Sequence, residues 1–161
     1  MSQRINITIT CPQCNNQFDS TLYRSIWGEY PENRELVMFD KINVVTCPHC
    51  GITTKLPFPF IYTNAKQLFA VWWEPNYDSQ IDKDSEGYVK LLGRGNYLAT
   101  APRIKDWDEF KQTIIRFENG DLKTSPINIE DNMKKQKDDF LKEKKGCLFF
   151  FFLLTAISCG L

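Results

Sequence analysis

Histidine is almost missing from this chain: His49 stands alone among 161 residues. Sites built from two or three imidazoles, such as multi-histidine metalloenzyme centres and histidine proton relays, are thereby excluded. Excess charge is missing too, since 20 Lys and Arg balance 20 Asp and Glu. A strongly basic nucleic-acid binder and an acidic disordered segment both need a charge of one sign, and neither fits. Residues 1–10 lack the continuous apolar core of a secretory signal, because isoleucines alternate there with polar residues. No internal repeat is visible beyond a doubled Cys-Pro-x-Cys. What remains is the composition of a soluble globular protein, 42% apolar and 14% aromatic, with room for one domain and a tail.

Composition divides the chain twice. Residues 1–125 are mixed, with 14 Lys and Arg against 15 Asp and Glu. Residues 126–146 are polar and Lys-rich and read as a linker or helix, while 147–161 are uncharged and largely apolar. Within the first part, Ile5, Ile7 and Ile9 recur at period two, so 4–10 reads as a strand, followed by a second over 18–23. Pro31 opens a helical stretch in which Leu36, Phe39 and Ile42 are expected to share a buried face. Strands are expected over 42–46, 52–56 and 58–62, the last forming a hairpin-like pair with 68–73. On 68–73, Leu68, Ala70 and Trp72 are expected to face one way and Phe69, Val71 and Trp73 the other. Such a strand needs cover on both faces or leaves an apolar patch for a second copy of the chain. Residues 74–87 read as an acidic loop. A helix is expected over 107–118, capped by Asp106 with Glu109 three residues on, and with Trp107, Phe110, Ile114 and Phe117 along one face.

Chemistry concentrates in Cys11-Pro12-Gln13-Cys14 and Cys47-Pro48-His49-Cys50. A two-residue spacer lets both sulfurs of a pair point to one side of a tight turn. Two such turns supply four soft thiolates in a tetrahedron, which suits one structural Zn²⁺ on Cys11, Cys14, Cys47 and Cys50. Gly51, and Asn15 at the matching place, suit the left-handed conformation that closes each turn. The long gap between the pairs calls for an insertion, and 31–42 provides a helical one. Four thiolates leave no open position for an activated water, so no catalytic residue is assigned and no enzyme is expected. A thiol–disulfide redox reading needs a helix to start at a cysteine pair, whereas Gly51-Ile52-Thr53-Thr54 favours a strand. His49 is expected to be a solvent-facing turn residue.

The two knuckles and their surroundings resemble the CpXC family, a bacterial and archaeal domain with paired Cys-Pro-x-Cys motifs. The resemblance rests on Thr10-Cys11-Pro12-Gln13-Cys14 with Phe18, and on Val45 through Gly51. Phe60 through Asn64 and the closing segment Arg103 through Gly120 extend it, so that it covers about residues 5–125. It implies a zinc role for the four cysteines and no particular activity. Asn15 replaces the family's usual glycine.

Other signals are weaker. Asp82 through Gly87 imitates half of an EF-hand loop, but Gly93 stands where a bidentate Glu is required, so a solvated connection is expected. Gly93 and Gly95 lack the third glycine and following helix of a phosphate loop. Nucleic-acid binding by a zinc ribbon is an alternative. Against it, the first 125 residues carry −1, and four thiolates with one Zn²⁺ take away two more charges, giving −3. Residues 147–161 span about 22 Å as a helix, short of a hydrocarbon core of about 30 Å, yet follow Lys142, Lys144 and Lys145. They read as a tail anchor holding a cytoplasmic domain at the inner membrane. Docking on the chain's own domain and a displaced signal-peptide-like segment are the other readings. Cys147 and Cys159 lack the Cys-Pro-x-Cys context and are left out of the zinc site. The sum is an α+β domain with a small antiparallel sheet, a zinc-ribbon-like four-cysteine site, a helical insertion and a C-terminal amphipathic helix. A non-catalytic module binding an unidentified protein is the expected function.

Overall fold

The computed structural model describes residues 2–122, which fall in one compact unit, Met1–Pro126. The linker, the apolar tail, Cys147 and Cys159 lie outside the described residues. Two antiparallel hairpins carry the cysteine turns. In the first, β1 (Arg4–Thr10) pairs with β2 (Gln17–Tyr23), placing Ile5 opposite Leu22 and Ile9 opposite Phe18. The alternation seen in the sequence thus buries one face, while Thr8–Asp19 and Thr21–Asn6 side-chain hydrogen bonds of 2.7 Å lace the other. In the second hairpin β4 (Val44–Thr46) pairs with β5 (Thr53–Lys55). Ile9, Leu22 and Val45 join the apolar faces of the two hairpins in a small cluster with Phe18, Leu56 and Phe58.

The body of the domain is a separate four-stranded sheet in the order β3 (Ser25–Trp27), β6 (Phe60–Asn64), β7 (Phe69–Trp73), β8 (Arg103–Ile104). Its centre is the expected hairpin, with Phe60 opposite Trp73 and Tyr62 opposite Val71. Its edge strands run parallel to their neighbours because each is joined to the hairpin by a long crossover, so this sheet is mixed. Phe60, Tyr62, Phe69, Val71 and Trp73 project to one face, where Val37 of α1 (Pro31–Met38) and Phe110 and Ile114 of α3 (Trp107–Glu118) cover them. Ile61, Ala70 and Trp72 project to the other, under Ile81 of α2 (Ser79–Leu92). Every residue of β7 is buried, and the cover comes from this chain's own helices. Leu68 does not join them. It is 60% exposed in the turn, at a φ of 52°.

The helices correct the sequence reading twice. α1 ends at Met38, and Asp40 and Asn43 both take positive φ, so the chain reverses before a third turn. Val37 is therefore the buried residue of the helix, Phe39 is 64% exposed, and Ile42 is buried beyond the helix end. Residues 74–87 are not a loop throughout. Asp78 caps α2 by accepting from the Gln80 backbone N–H at 2.9 Å, a contact worth about 1 kcal/mol. Asp82 is buried against Arg103 at 2.8 Å and is not solvated. The run of acids hid a helical stripe of Ile81, Ser85 and Tyr88, and Gly93 ends that helix at a φ of 87°. α3 follows the expectation: Asp106 accepts from the Glu109 N–H at 2.8 Å.

Two polar clusters lock these layers. Arg34 of α1 grips Glu118 of α3 at 2.8–3.0 Å, and the Tyr62 hydroxyl donates to the same carboxylate. A Cβ on Gly28 would meet the Tyr62 ring at 1.8 Å, so only glycine lets that ring lie where it does. On the opposite face Glu74 is 1% exposed. Its Oε1 accepts from the Asp78 N–H at 2.9 Å; its Oε2 makes no hydrogen bond and lies 3.7 Å from Arg103, which also serves Asp82. Burial pushes the Glu74 carboxyl above its ordinary 4.5, against the pull of the Asp78 N–H and Arg103. A raised folded-state pKa means that the folded chain favours the neutral acid. Its contribution is full below pH 4.5 and is lost as pH rises through the raised value. The melting temperature should accordingly decline across that window in the wild type and stay flatter in Glu74→Gln; parallel profiles from pH 4 to 8 would refute the assignment.

Candidate metal centre

Each hairpin ends in a six-residue turn, and the two turns are built alike. Cys11 N–H donates to Asn16 O at 2.9 Å and Asn15 N–H to Cys11 O at 2.9 Å. Cys47 N–H donates to Ile52 O at 2.8 Å and Gly51 N–H to Cys47 O at 2.9 Å. Asn15 and Gly51 occupy the left-handed region at 57° and 76°, as the sequence predicts. The backbone N–H groups thus curl around each pair and aim both sulfurs inward.

The two turns face each other. The first cysteine of each knuckle meets the second of the other: Cys11 Sγ lies 3.6 Å from Cys50 Sγ, and Cys14 Sγ lies 3.7 Å from Cys47 Sγ. All four sulfurs fall within 4.8 Å of one another. A tetrahedron of ~2.3 Å metal–thiolate bonds has edges of about 3.8 Å, so the spacing fits a metal centre. It is far from a disulfide, whose sulfurs are ~2.0 Å apart, and the four cysteines are free. Cys11 and Cys47 are buried, Cys14 is half-buried and Cys50 is exposed. His49 is exposed at its turn and is not among the gathered donors. Cys50 leads through Gly51 into β5, so no helix begins at the second pair.

Electrostatics point the same way. The Cys14 backbone N–H holds the Cys11 thiol down to about 6, aided by the Gln13 N–H and opposed by desolvation. The Ile52 N–H also favours a thiolate at Cys50, yet desolvation and the Cys11, Cys14 and Cys47 thiols push it up to about 12. Cys11 and Cys50 are thus pushed in opposite directions, and a cation set among the sulfurs would favour the thiolate at both.

Three supporting residues were not found from the sequence. Asn16 donates to Cys14 Sγ at 3.6 Å. Buried Asn43 accepts from the Tyr23 N–H at 2.7 Å and donates to Tyr23 O at 3.2 Å, fixing the base of the second hairpin against the end of the first. Lys55 ties β5 to Asp40 and Trp107. A polar residue before a β-branched run carries no sequence signal for such roles.

A family model described as CpXC protein matches residues 9–146. The match begins inside β1 and runs past residue 125, where the sequence resemblance ended, so it takes in the Lys-rich segment. No curated protein and no solved structure matches the chain.

The left-handed turn residues set a testable difference. Asn15→Gly should leave metal retention against a chelator unchanged or improved, while Gly51→Val, forced to a φ of 76°, should cost about 1–2 kcal/mol and speed metal loss. Equal retention in both variants would show that turn strain does not hold the site.

Proposed function

This chain belongs to the CpXC family, and we propose that it is a non-catalytic protein-binding module whose fold one structural Zn²⁺ holds together on Cys11, Cys14, Cys47 and Cys50. The reading is carried by one observation: two like knuckles, 36 positions apart in sequence, set four sulfurs within 4.8 Å of one another. Four thiolates complete a tetrahedral shell and leave no place for a reacting water, so the metal supplies a cross-link. Thiolate donors select zinc or iron among common metals. With the metal in place, the knuckles close a lobe whose own apolar cluster is small, and stability there depends on the ion.

Metal analysis of protein purified without added zinc, beside a thiol titration, tests this. One zinc per chain with four masked thiols is expected, and Cys47→Ser should lose the metal and lower the melting temperature. Iron with visible absorbance would change the ion, and a metal-free chain with an oxidised Cys47–Cys50 pair would favour a redox role.

The same reading holds the domain at a membrane through 147–161, which follows three lysines at 142, 144 and 145. Among the described residues no helix is long and apolar enough to cross one. Full-length chain should stay with membranes after an alkaline wash, and removal of 147–161 should release it. Release of both forms would end the anchor reading.

A further inference from the structure

Lys55 closes β5, five residues after Cys50, and its ammonium turns inward onto aromatic rings. Nζ lies 3.3 Å from the Trp107 ring centroid, 5.6 Å from that of Trp73 and 3.4 Å from Asp40 Oδ1. Asp40 also accepts from the Trp107 indole N–H and from Lys111 Nζ at 3.2 Å. Residues from the second hairpin, the turn after α1 and the first turn of α3 therefore converge on one cation. Beneath it, Trp107 packs on Trp73, Phe110 and Phe60 at centroid distances of 4.7, 5.3 and 6.2 Å. Trp107 is thus the outer ring of an aromatic stack that reaches the main core.

Among the described residues the β4–β5 hairpin pairs with no other strand. One end is shaped by the cysteine turn. The other is held by the Leu56 N–H on Asn43 O at 2.9 Å and by Lys55 itself. Lys55 is the hairpin's charged contact with the α3 side of the body, and the cysteines are its link to the first hairpin's turn. The body keeps its own layered core on both faces of β6 and β7, independent of the sulfurs.

We propose that Lys55 is a latch set by the metal centre: with metal bound, the second knuckle presses its ammonium onto Trp107, Trp73 and Asp40, and loss of the metal frees it and uncovers an aromatic, acid-edged face that takes a lysine or arginine side chain of a protein partner. This rests on the reading of the four cysteines as a metal site. Two indole rings beside a carboxylate are the chemistry that binds an organic cation, and here an internal one fills the place. Burial draws the Lys55 amine below its ordinary value while Asp40 pulls it back, as expected of an ammonium held partly out of water by contacts. Asp108 adds attraction at this face, while Lys111, 3.2 Å from Asp40 and 5.7 Å from the Trp107 centroid, stays beside it and adds repulsion that an incoming cation must share.

The experiment compares full-length protein, metal-loaded and chelated, with metal content measured in each sample. Brief acetylation with an N-hydroxysuccinimide ester is read by peptide mass mapping, with exposed Lys66 as reference and amide hydrogen exchange alongside. Metal-loaded Lys55 should react about tenfold more slowly than Lys66, the scale of a desolvated cation–π contact. Chelation should bring it to the Lys66 rate while β6 and β7 amides stay protected. Lys55→Met should keep its metal yet show the raised acrylamide quenching of the chelated wild type, and n-butylammonium, as probe, should lower that quenching. Unchanged Lys55 reactivity after the metal has left overturns the latch. So does loss of β6 and β7 protection together with Lys55, or a Lys55→Met protein that behaves as wild type. A chain that never holds metal fails at the underlying site instead, and the latch falls with it.

Discussion

Four sulfurs cannot share a sphere a few ångströms wide unless two stretches of backbone approach tip to tip, and that approach governs how the knuckle lobe is built. Each turn reverses within six residues through one left-handed residue, Asn15 or Gly51, while backbone N–H groups curl back on the first cysteine. The strands leading into and out of each turn then have to run antiparallel, giving the two hairpins their form. Because the pairs cross over, Cys11 to Cys50 and Cys14 to Cys47, neither hairpin can tilt without pulling both contacts. The small apolar cluster behind the turns fills the space that this crossing leaves.

A lobe with so little core must be fastened to something larger. Asn43 first ties the lobe's own two hairpins together, from a backbone conformation that few residues adopt, with its amide bridging the end of β2 and the start of β4. Arg24 adds a second tie: its guanidinium reaches Asp78 at 2.9 Å and Asp84 at 3.2 Å, so the junction of β2 and β3 is held to the N-terminal half of α2. It also lies over the Trp72 ring, 5.4 Å from its centroid. The sheet meanwhile is sealed on both sides, with the Arg34–Glu118–Tyr62 group joining α1, α3 and β6 on one face and the Glu74–Arg103–Asp82 group fixing α2 on the other.

Much of this was legible in the residues. Period-two isoleucines gave β1, the doubled Cys-Pro-x-Cys gave the gathered sulfurs, and Asp106 with Glu109 marked the start of α3 to the residue. What escaped depended on distant partners. Asp82 reads as solvated until Arg103, 21 positions away, arrives to neutralise it, and the helix around it was hidden by that reading. Phe39 looks like a core residue by spacing alone. It is exposed because the chain leaves the helix one residue earlier and turns at Asp40. Asn43 and Lys55 carry no local pattern, since their roles are defined by strands and rings supplied from elsewhere.

The crossing of the two knuckles also gives the centre an inside and an outside. Cys11 and Cys47, the leading cysteine of each turn, are shut into the protein, and Cys14 and Cys50 face outward, Cys50 the more so. A chelator, an oxidant or another protein's thiol that approaches these sulfurs meets Cys50, the exposed one, before the rest. Attack on the site therefore starts at the second turn, while Cys11, with its sulfur under the Cys14 and Gln13 N–H groups and shut away from solvent, is among the last to be reached.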